Sequence, residues 1–387
     1  MNTSDRGRYL LCSMKLRYLG IFSLSVVAAC AALSAGQAMA GTYGTKPVNI
    51  SVGVNGAPPN GPSGQPSVSG DDRTVRHVAF SSAATNLVPN DENSAIDIFV
   101  WRRPSGRFPT TSGRGTLIIA SVGKGGVRAN AGSSAPSMDG SLVNRSRCVA
   151  FQSLATNLSP KDALPDSDIY VRDLKKGRTY LASAGLPNDA THPGIAGNCK
   201  KVVFASGGRV WWSRVGSGKP HSLGKGSQPS YSRDGKSIVF VRPDGRVVYR
   251  RGGAKAVLSR GSEPRVSDRS PGYGWAVVYN SNGNVKIAVI NGGRKSVRTV
   301  VRRAISGGVS SFAAHRGILV WARRGALYYL NRNSGNSDDL AYASSTLSEI
   351  SMSARANVVA FTASGGRGFA GRPNDGTPSI YAKWLPK

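Results

Sequence analysis

Apolar residues along this chain come in short runs of three or four that end on an aromatic side chain, and the runs recur. Their aromatic ends are Phe80, Phe151, Phe204, Phe240, Tyr279, Trp321 and Phe361, and from Phe204 onward they are spaced 36, 39, 42 and 40 residues apart. A Pro/Ser start and a turn precede each run, and a second apolar run beside Tyr, Phe or Trp follows it. Runs this short, bounded by turn residues, predict strands rather than helices. The cleanest copy reads Pro229-Ser230-Tyr231-Ser232, Arg233-Asp234-Gly235-Lys236, Ser237-Ile238-Val239-Phe240. Its Asp-Gly predicts a tight hairpin, because that turn needs positive φ. A second turn, Pro243-Asp244-Gly245, leads to Arg246-Val247-Val248-Tyr249, and Gly252-Gly253 leads to Ala256-Val257-Leu258. Four strands, a to d, thus fill each period.

The third strand is found again in Asp97-Ile98-Phe99-Val100, Asp168-Ile169-Tyr170-Val171, Arg209-Val210-Trp211-Trp212, Val285 to Val289 and Leu327-Tyr328-Tyr329-Leu330. The seventh copy ends on Ser379-Ile380-Tyr381-Ala382 and lacks a fourth strand. An orphan apolar segment, Val48 to Gly53, precedes the first copy and ends in Ser51-Val52-Gly53, like Ser121-Val122-Gly123 later. A period near forty built from short strands predicts an all-β chain: a single seven-bladed β-propeller of four-stranded antiparallel blades. The N-terminal strand completes the last blade and closes the ring. The expected blades span 66–123, 134–185, 190–224, 227–260, 263–302, 306–344 and 346–387 with 47–54, within a propeller domain of 41–387.

The phrase at 229–240 resembles the TolB-like, WD-type propeller repeat of bacterial exported proteins, and the resemblance extends over the whole chain after residue 40. It implies the fold and export. It implies little about function, because propellers host unrelated activities. The TolB family also carries an α/β domain ahead of its propeller, whereas only residues 41–65 lie between leader and first repeat here, so a Tol–Pal role is not implied.

Charge and cysteine change the picture. The formal net charge is +31, and from Thr191 onward 31 Lys and Arg face 8 Asp and Glu. Such a field favours anionic partners, although a basic composition of the whole source proteome would produce it too. Lys15 and Arg17, the apolar stretch Ile21 to Leu33 and Ala38-Met39-Ala40 read as a signal peptide over 1–40, with Met14 a second candidate start. The protein is therefore expected to be exported: periplasmic, cell-surface or secreted. Val27-Ala28-Ala29-Cys30 is the competing lipobox, which would tether the chain to a membrane through Cys30. After the leader only Cys148 and Cys199 remain, either bridged, as export permits, or buried as separate thiols.

Candidate chemistry gathers in three long loops between strands b and c, of blades 7, 1 and 2. Ala84-Thr85-Asn86-Leu87 and Ala155-Thr156-Asn157-Leu158 repeat one phrase, and these loops carry Asp91, Asn93, Asp97, Asp162, Asp166, Asp168, Asn374 and Asp375. Contiguous on one face of a closed ring, they form the expected binding rim. Asp91, Asn93 and Asp97 are loosely spaced like calcium ligands; otherwise no cofactor is expected. The structural alternative is that Asp97 and Asp168 hold strand ends while Thr-Asn pairs build turns. His77, His192, His221 and His315 lie in different repeats without metal-ligand or triad spacing, and no Gly-x-Ser-x-Gly elbow occurs. The expected function is a non-catalytic, monomeric scaffold, not an enzyme, that binds a protein or anionic polymer through one face. The alternatives are a propeller lyase or hydrolase acting on an acidic polysaccharide, which needs His, Arg, Tyr or Lys to converge on the channel, and a binder of anionic envelope polymers. Arg250-Arg251 and similar dipeptides make no nucleic-acid module, so nucleic acid is not expected as a partner.

Overall fold

The structure is a computed structural model that describes residues 46–71, 74–105, 113–162, 164–217, 219–270, 274–291, 294–302, 312–323, 325–332, 335, 337–342, 347–364, 369 and 376–385. The leader, Asn374 and Asp375 lie outside these residues. Seven four-stranded antiparallel sheets form the blades of a propeller. Blade 1 runs outward through Ser63–Val68, His77–Ser82, Asp97–Arg102 and Thr116–Ile119, strands a to d. Blade 2 is Ser133–Met138, Cys148–Ser153, Asp168–Asp173 and Arg178–Leu181, and blade 3 is Ala190–Ile195, Lys201–Ser206, Arg209–Arg214 and His221–Lys225. Ser227–Tyr231 and Ser262–Ser270 open blades 4 and 5; Phe312–His315 and Leu347–Met352 open blades 6 and 7.

The aromatic ends of the apolar runs sit on strand b and face an aromatic residue of strand c in five blades, whereas Phe240 faces Val248 and Tyr279 faces Lys286. Phe80 stacks on Phe99 at 5.8 Å, Phe151 on Tyr170 at 5.9 Å and Phe361 on Tyr381 at 6.1 Å. Each of these is a directly opposed cross-strand pair, the contact that stabilises a sheet face most. The core then continues from blade to blade: Ile380 and Ala382 of blade 7 pack in one cluster with Val78 and Phe80 of blade 1.

Ring closure follows the expected route with a shorter ladder. Val48 pairs with Ala382 and Asn49 with Tyr381, on the outer edge of blade 7. Past Asn49 the Ile50 amide still donates to the Ile380 carbonyl at 2.9 Å, and side chains take over the next bonds. Asn49 Oδ1 accepts from the amide of Ser51 at 2.9 Å, and Ser51 Oγ accepts from the amide of Ile380 at 2.9 Å. Val54–Gly56 is a 3-10 turn, matched by Lys124–Gly126 after the second Ser-Val-Gly. Cys148, opening strand b of blade 2, is disulfide-bonded to Cys199 in the a–b turn of blade 3, with Cα atoms 5.7 Å apart.

Every described strand a except that of blade 6 carries a bulge at the same level. The register slips between Gly64 and Ser67, Ser134 and Ser137, Thr191 and Gly194, Ser227 and Ser230, Ser262 and Arg265, and Ser348 and Ser351. Within each slip one residue has positive φ: Gln65, Ala135, His192, Gln228, Glu263 and Glu349. A bulge turns that side chain out of the ladder. Proline follows in five of the six copies, where a missing donor is no loss.

Candidate functional site

The b–c loops of blades 1 and 2 are built as clasps. Asn60, in the linker entering blade 1, donates to Thr85 Oγ1 at 2.8 Å and accepts from the Thr85 amide at 2.8 Å, while Asn86 Nδ2 donates to the Pro58 carbonyl at 2.7 Å. Asn130 does the same with Thr156, and Asn157 with Arg128. The repeated Ala-Thr-Asn-Leu phrase is thus the half of a clasp that holds the linker into each blade.

The carboxylates of these loops form two separate groups. In blade 1, Asn93 donates to Asp97 at 2.8 Å, and the buried Asp97 also accepts from Ser121 Oγ. Asp91 is buried, with Oδ1 lacking a partner among the described residues; burial, then Asp97, pushes its carboxyl up to about 6. In blade 2, Asp162, Asp166 and Asp168 each bring a carboxylate oxygen within 4.8 Å of the others, a spacing able to hold a cation. Asp162 accepts from the Tyr170 hydroxyl and Asp168 from Ser183 Oγ. Burial raises Asp168 to about 6 against the pull of Ser183. Of the six described rim residues, Asn93, Asp97, Asp162 and Asp168 thus bond within their own blade. Asn374 and Asp375 lie outside the described residues.

The bulged strands line a central channel of about 480 Å³. Its upper ring is a chain of blade-to-blade hydrogen bonds. Glu349 accepts from the amide of Gln65 at 2.7 Å, Gln65 from that of Ala135 at 2.7 Å, and Gln228 from that of Glu263 at 2.8 Å. Where Ala135 has no acceptor, Gln152 approaches the amide of His192 at 3.4 Å. One level down, Ser351 accepts from Val68, Ser67 from Met138 and Ser137 from Ile195. The floor is backbone: Gly70 donates to the Asp139 carbonyl, Gly140 to that of Gly197, and Gly197 to that of Arg233. A Cβ at Gly70 or Gly197 would fall 2.2 or 2.3 Å from the Gly140 carbonyl oxygen, so no larger residue fits.

One side chain breaks this order. The second level carries Ser67, Ser137, Gly194, Ser230, Ala313 and Ser351 at matching registers, and in blade 5 it carries Arg265. Arg265 is open to solvent in the lumen yet enclosed by protein, and burial holds its guanidinium below the usual range against the influence of Glu263. His315, at the end of strand a in blade 6, feels both Arg265 and Arg233. Burial first, then those two cations, pushes its imidazole down to about 3, and Nδ1 has no partner among the described residues. His315 thus feels two arginines, of which Arg265 lines the channel with Glu263 and Arg233 is bonded to the Val68 and Met352 carbonyls. Sequence spacing gave no sign of this, although the residue after the strand-a proline is small in every copy but Pro264-Arg265. Of the other histidines, His192 sits in the upper ring, whereas His221 is on the outer strand of blade 3, stacked on Trp212 at 4.8 Å and away from the channel.

No protein-family model matches the chain, and no curated protein matches its sequence. Its fold does match solved structures, among them the crystal structure of oligogalacturonate lyase from Vibrio parahaemolyticus. That match has a TM-score of 0.51 at 11% identity and covers 90% of this chain and 99% of the other. At such identity the likeness extends to the fold alone, and the TolB-like resemblance gains no support beyond it. The chain is a seven-bladed β-propeller.

Proposed function

We propose that this protein is an exported propeller that binds an acidic saccharide in its central channel, with a ligand carboxylate at Arg265. Arg265 itself carries the reading. It lines the channel as the cation at a level where the other blades carry serine, glycine or alanine, and a guanidinium fork suits a carboxylate. The net charge of +31 draws anions toward the molecule. The fold likeness to a protein titled as an oligogalacturonate lyase supports uronates as the first ligands to try. The internal hydrogen bonding of the b–c carboxylates favours the channel over that rim.

A second reading is favoured by His315. An uncharged imidazole whose buried Nδ1 has no partner among the described residues, near enough to Arg265 to feel its charge, is a candidate base toward a uronate. In such a β-elimination the base removes the proton α to the carboxylate and the C4–O bond breaks. A C4=C5 double bond forms, and the leaving oxygen takes a proton. Titration calorimetry with trigalacturonate and with neutral maltotriose tests both readings. Saturable binding of the uronate alone, without unsaturated product in the ultraviolet, supports a binding protein. Product that disappears in His315→Gln supports the lyase. Equal binding of both sugars, or of neither, overturns the channel reading.

A further inference from the structure

The opposite end of the molecule from the b–c loops holds a second cationic site. Arg76, Arg102, Arg103, Arg145, Arg147 and Lys175, from the described parts of the a–b and c–d turns of blades 1 and 2, line a cleft of about 690 Å³. Four separate turns supply these residues, so the cluster is a product of the fold and not of a charged run in sequence.

Two carboxylates face them, and both serve the turns they belong to. Asp71 accepts from the amide and hydroxyl of Ser146, both at 2.7 Å, and from Ser69 Oγ at 2.6 Å; it lies 3.9 Å from Arg76. Asp173 accepts from the amides of Lys175 and Lys176 at 3.0 Å and pairs with Arg147 at 3.3 Å. Among the described residues, ion pairs join two of the six cations to Asp71 and Asp173, which leaves a positive excess in one concavity. Burial and the nearby Arg76 hold the Arg103 guanidinium below its usual range. At the floor, His77 is buried with Nδ1 on Ser146 Oγ at 2.7 Å, so the base of the cleft is rigid.

We infer that this cleft is a binding site for a ligand carrying two or more phosphate groups. A concave, low-dielectric site focuses its field on a bound anion. Five guanidinium forks around one space match clustered, multiply charged oxyanions, each able to accept several bidentate pairs, better than the single charge of a carboxylate. The inference goes beyond the channel reading, involves none of its residues and stands if that reading fails.

Calorimetric titration of the full exported chain with inorganic tripolyphosphate tests it, with trigalacturonate as the carboxylate arm. Tripolyphosphate should bind one to one and weaken as salt rises. Arg102 and Arg145 are exposed, so Arg102→Ala/Arg145→Ala should fold normally. It should lose affinity by about tenfold or more, since each lost partner is a charge-assisted bond. Lys255→Ala/Arg298→Ala removes the same charge from exposed positions on blades 4 and 5 and should leave affinity within about twofold by that criterion. The proposal is overturned by equal losses in the two double variants, by trigalacturonate binding as tightly at the cleft, or by no saturable binding of tripolyphosphate.

Discussion

The guanidinium of Arg233, in the a–b turn of blade 4, donates to the carbonyl oxygen of Val68 in blade 1 at 2.9 Å. It also reaches Met352 of blade 7 at 3.3 Å, so one side chain ties three blades across the channel floor. Gly70 leaves the room, since a Cβ there would lie 2.4 Å from Arg233 Cδ. Arg233→Ala should therefore destabilise the ring by about 1–3 kcal/mol, the cost of losing charge-assisted bonds to buried carbonyls. Arg233→Lys should recover only part of it, because a single ammonium does not reproduce the fork. Thermal melting checks both; full recovery by lysine would mean that charge alone matters at this position.

The upper ring makes a separate prediction. Glu349 accepts from the Gln65 amide and the Thr362 hydroxyl, both at 2.7 Å. Glu349→Gln keeps an acceptor and should cost little, whereas Glu349→Ala leaves a blade 1 amide unpaired and should cost about 1–2 kcal/mol. Denaturant unfolding of the two variants separates them, and equal losses would count against a hydrogen-bond role.

Asp139 predicts a pH signature. Burial pushes its carboxyl up to about 7, against the pull of the amides of Cys148 and Arg147, which donate to Oδ1 at 2.9 and 2.7 Å. The folded chain therefore keeps a proton that the unfolded chain releases near its ordinary 3.8. A folded pKa raised in this way makes the residue's contribution greatest below pH 4, and the contribution falls as pH rises toward about 7. His77, lowered to about 4 by burial, acts in the opposite direction, so the diagnostic quantity is wild type minus Asp139→Asn. That difference should decline from about pH 4 to about pH 7 and stay level above it. A difference independent of pH would refute the assignment.

Reducing Cys148–Cys199, or replacing both by serine, should lower stability. The bridge closes a separation of 51 residues and joins two neighbouring blades. Chain-entropy estimates for a loop of that size give roughly 4 kcal/mol as an upper figure. Unfolding midpoints with and without reductant measure it, and an unchanged midpoint would contradict a stabilising bridge.

The propeller was legible in the sequence because cross-strand aromatic pairs such as Phe80 with Phe99 require apolar triplets at fixed spacing. Closure was legible from Ser51-Val52-Gly53, although the strand stops at Asn49 and, after one more backbone bond from Ile50, an Asn side chain and a Ser hydroxyl take over at Ser51. The Ala-Thr-Asn-Leu repeat was visible, but its partners Asn60 and Asn130 lie in linkers without pattern, so the clasp itself was not legible. The channel was illegible for a different reason. The level of Arg265 is fixed only once the bulges set the register of each inner strand, and His315 comes to the two arginines from another blade. Position in a closed ring is a property of the assembled blades and of no single repeat.

The central claim is that Arg265 receives the ligand, and Arg265→Ser tests it most directly. The change installs the residue that blades 1, 2, 4 and 7 already carry at that level, so the fold should be unaffected. Trigalacturonate affinity measured by calorimetry should fall by about tenfold or more, the loss expected for a charge-assisted bidentate pair, with an unchanged melting temperature in the absence of ligand. Equal affinity in wild type and Arg265→Ser, with both proteins folded, would contradict a channel site at this arginine.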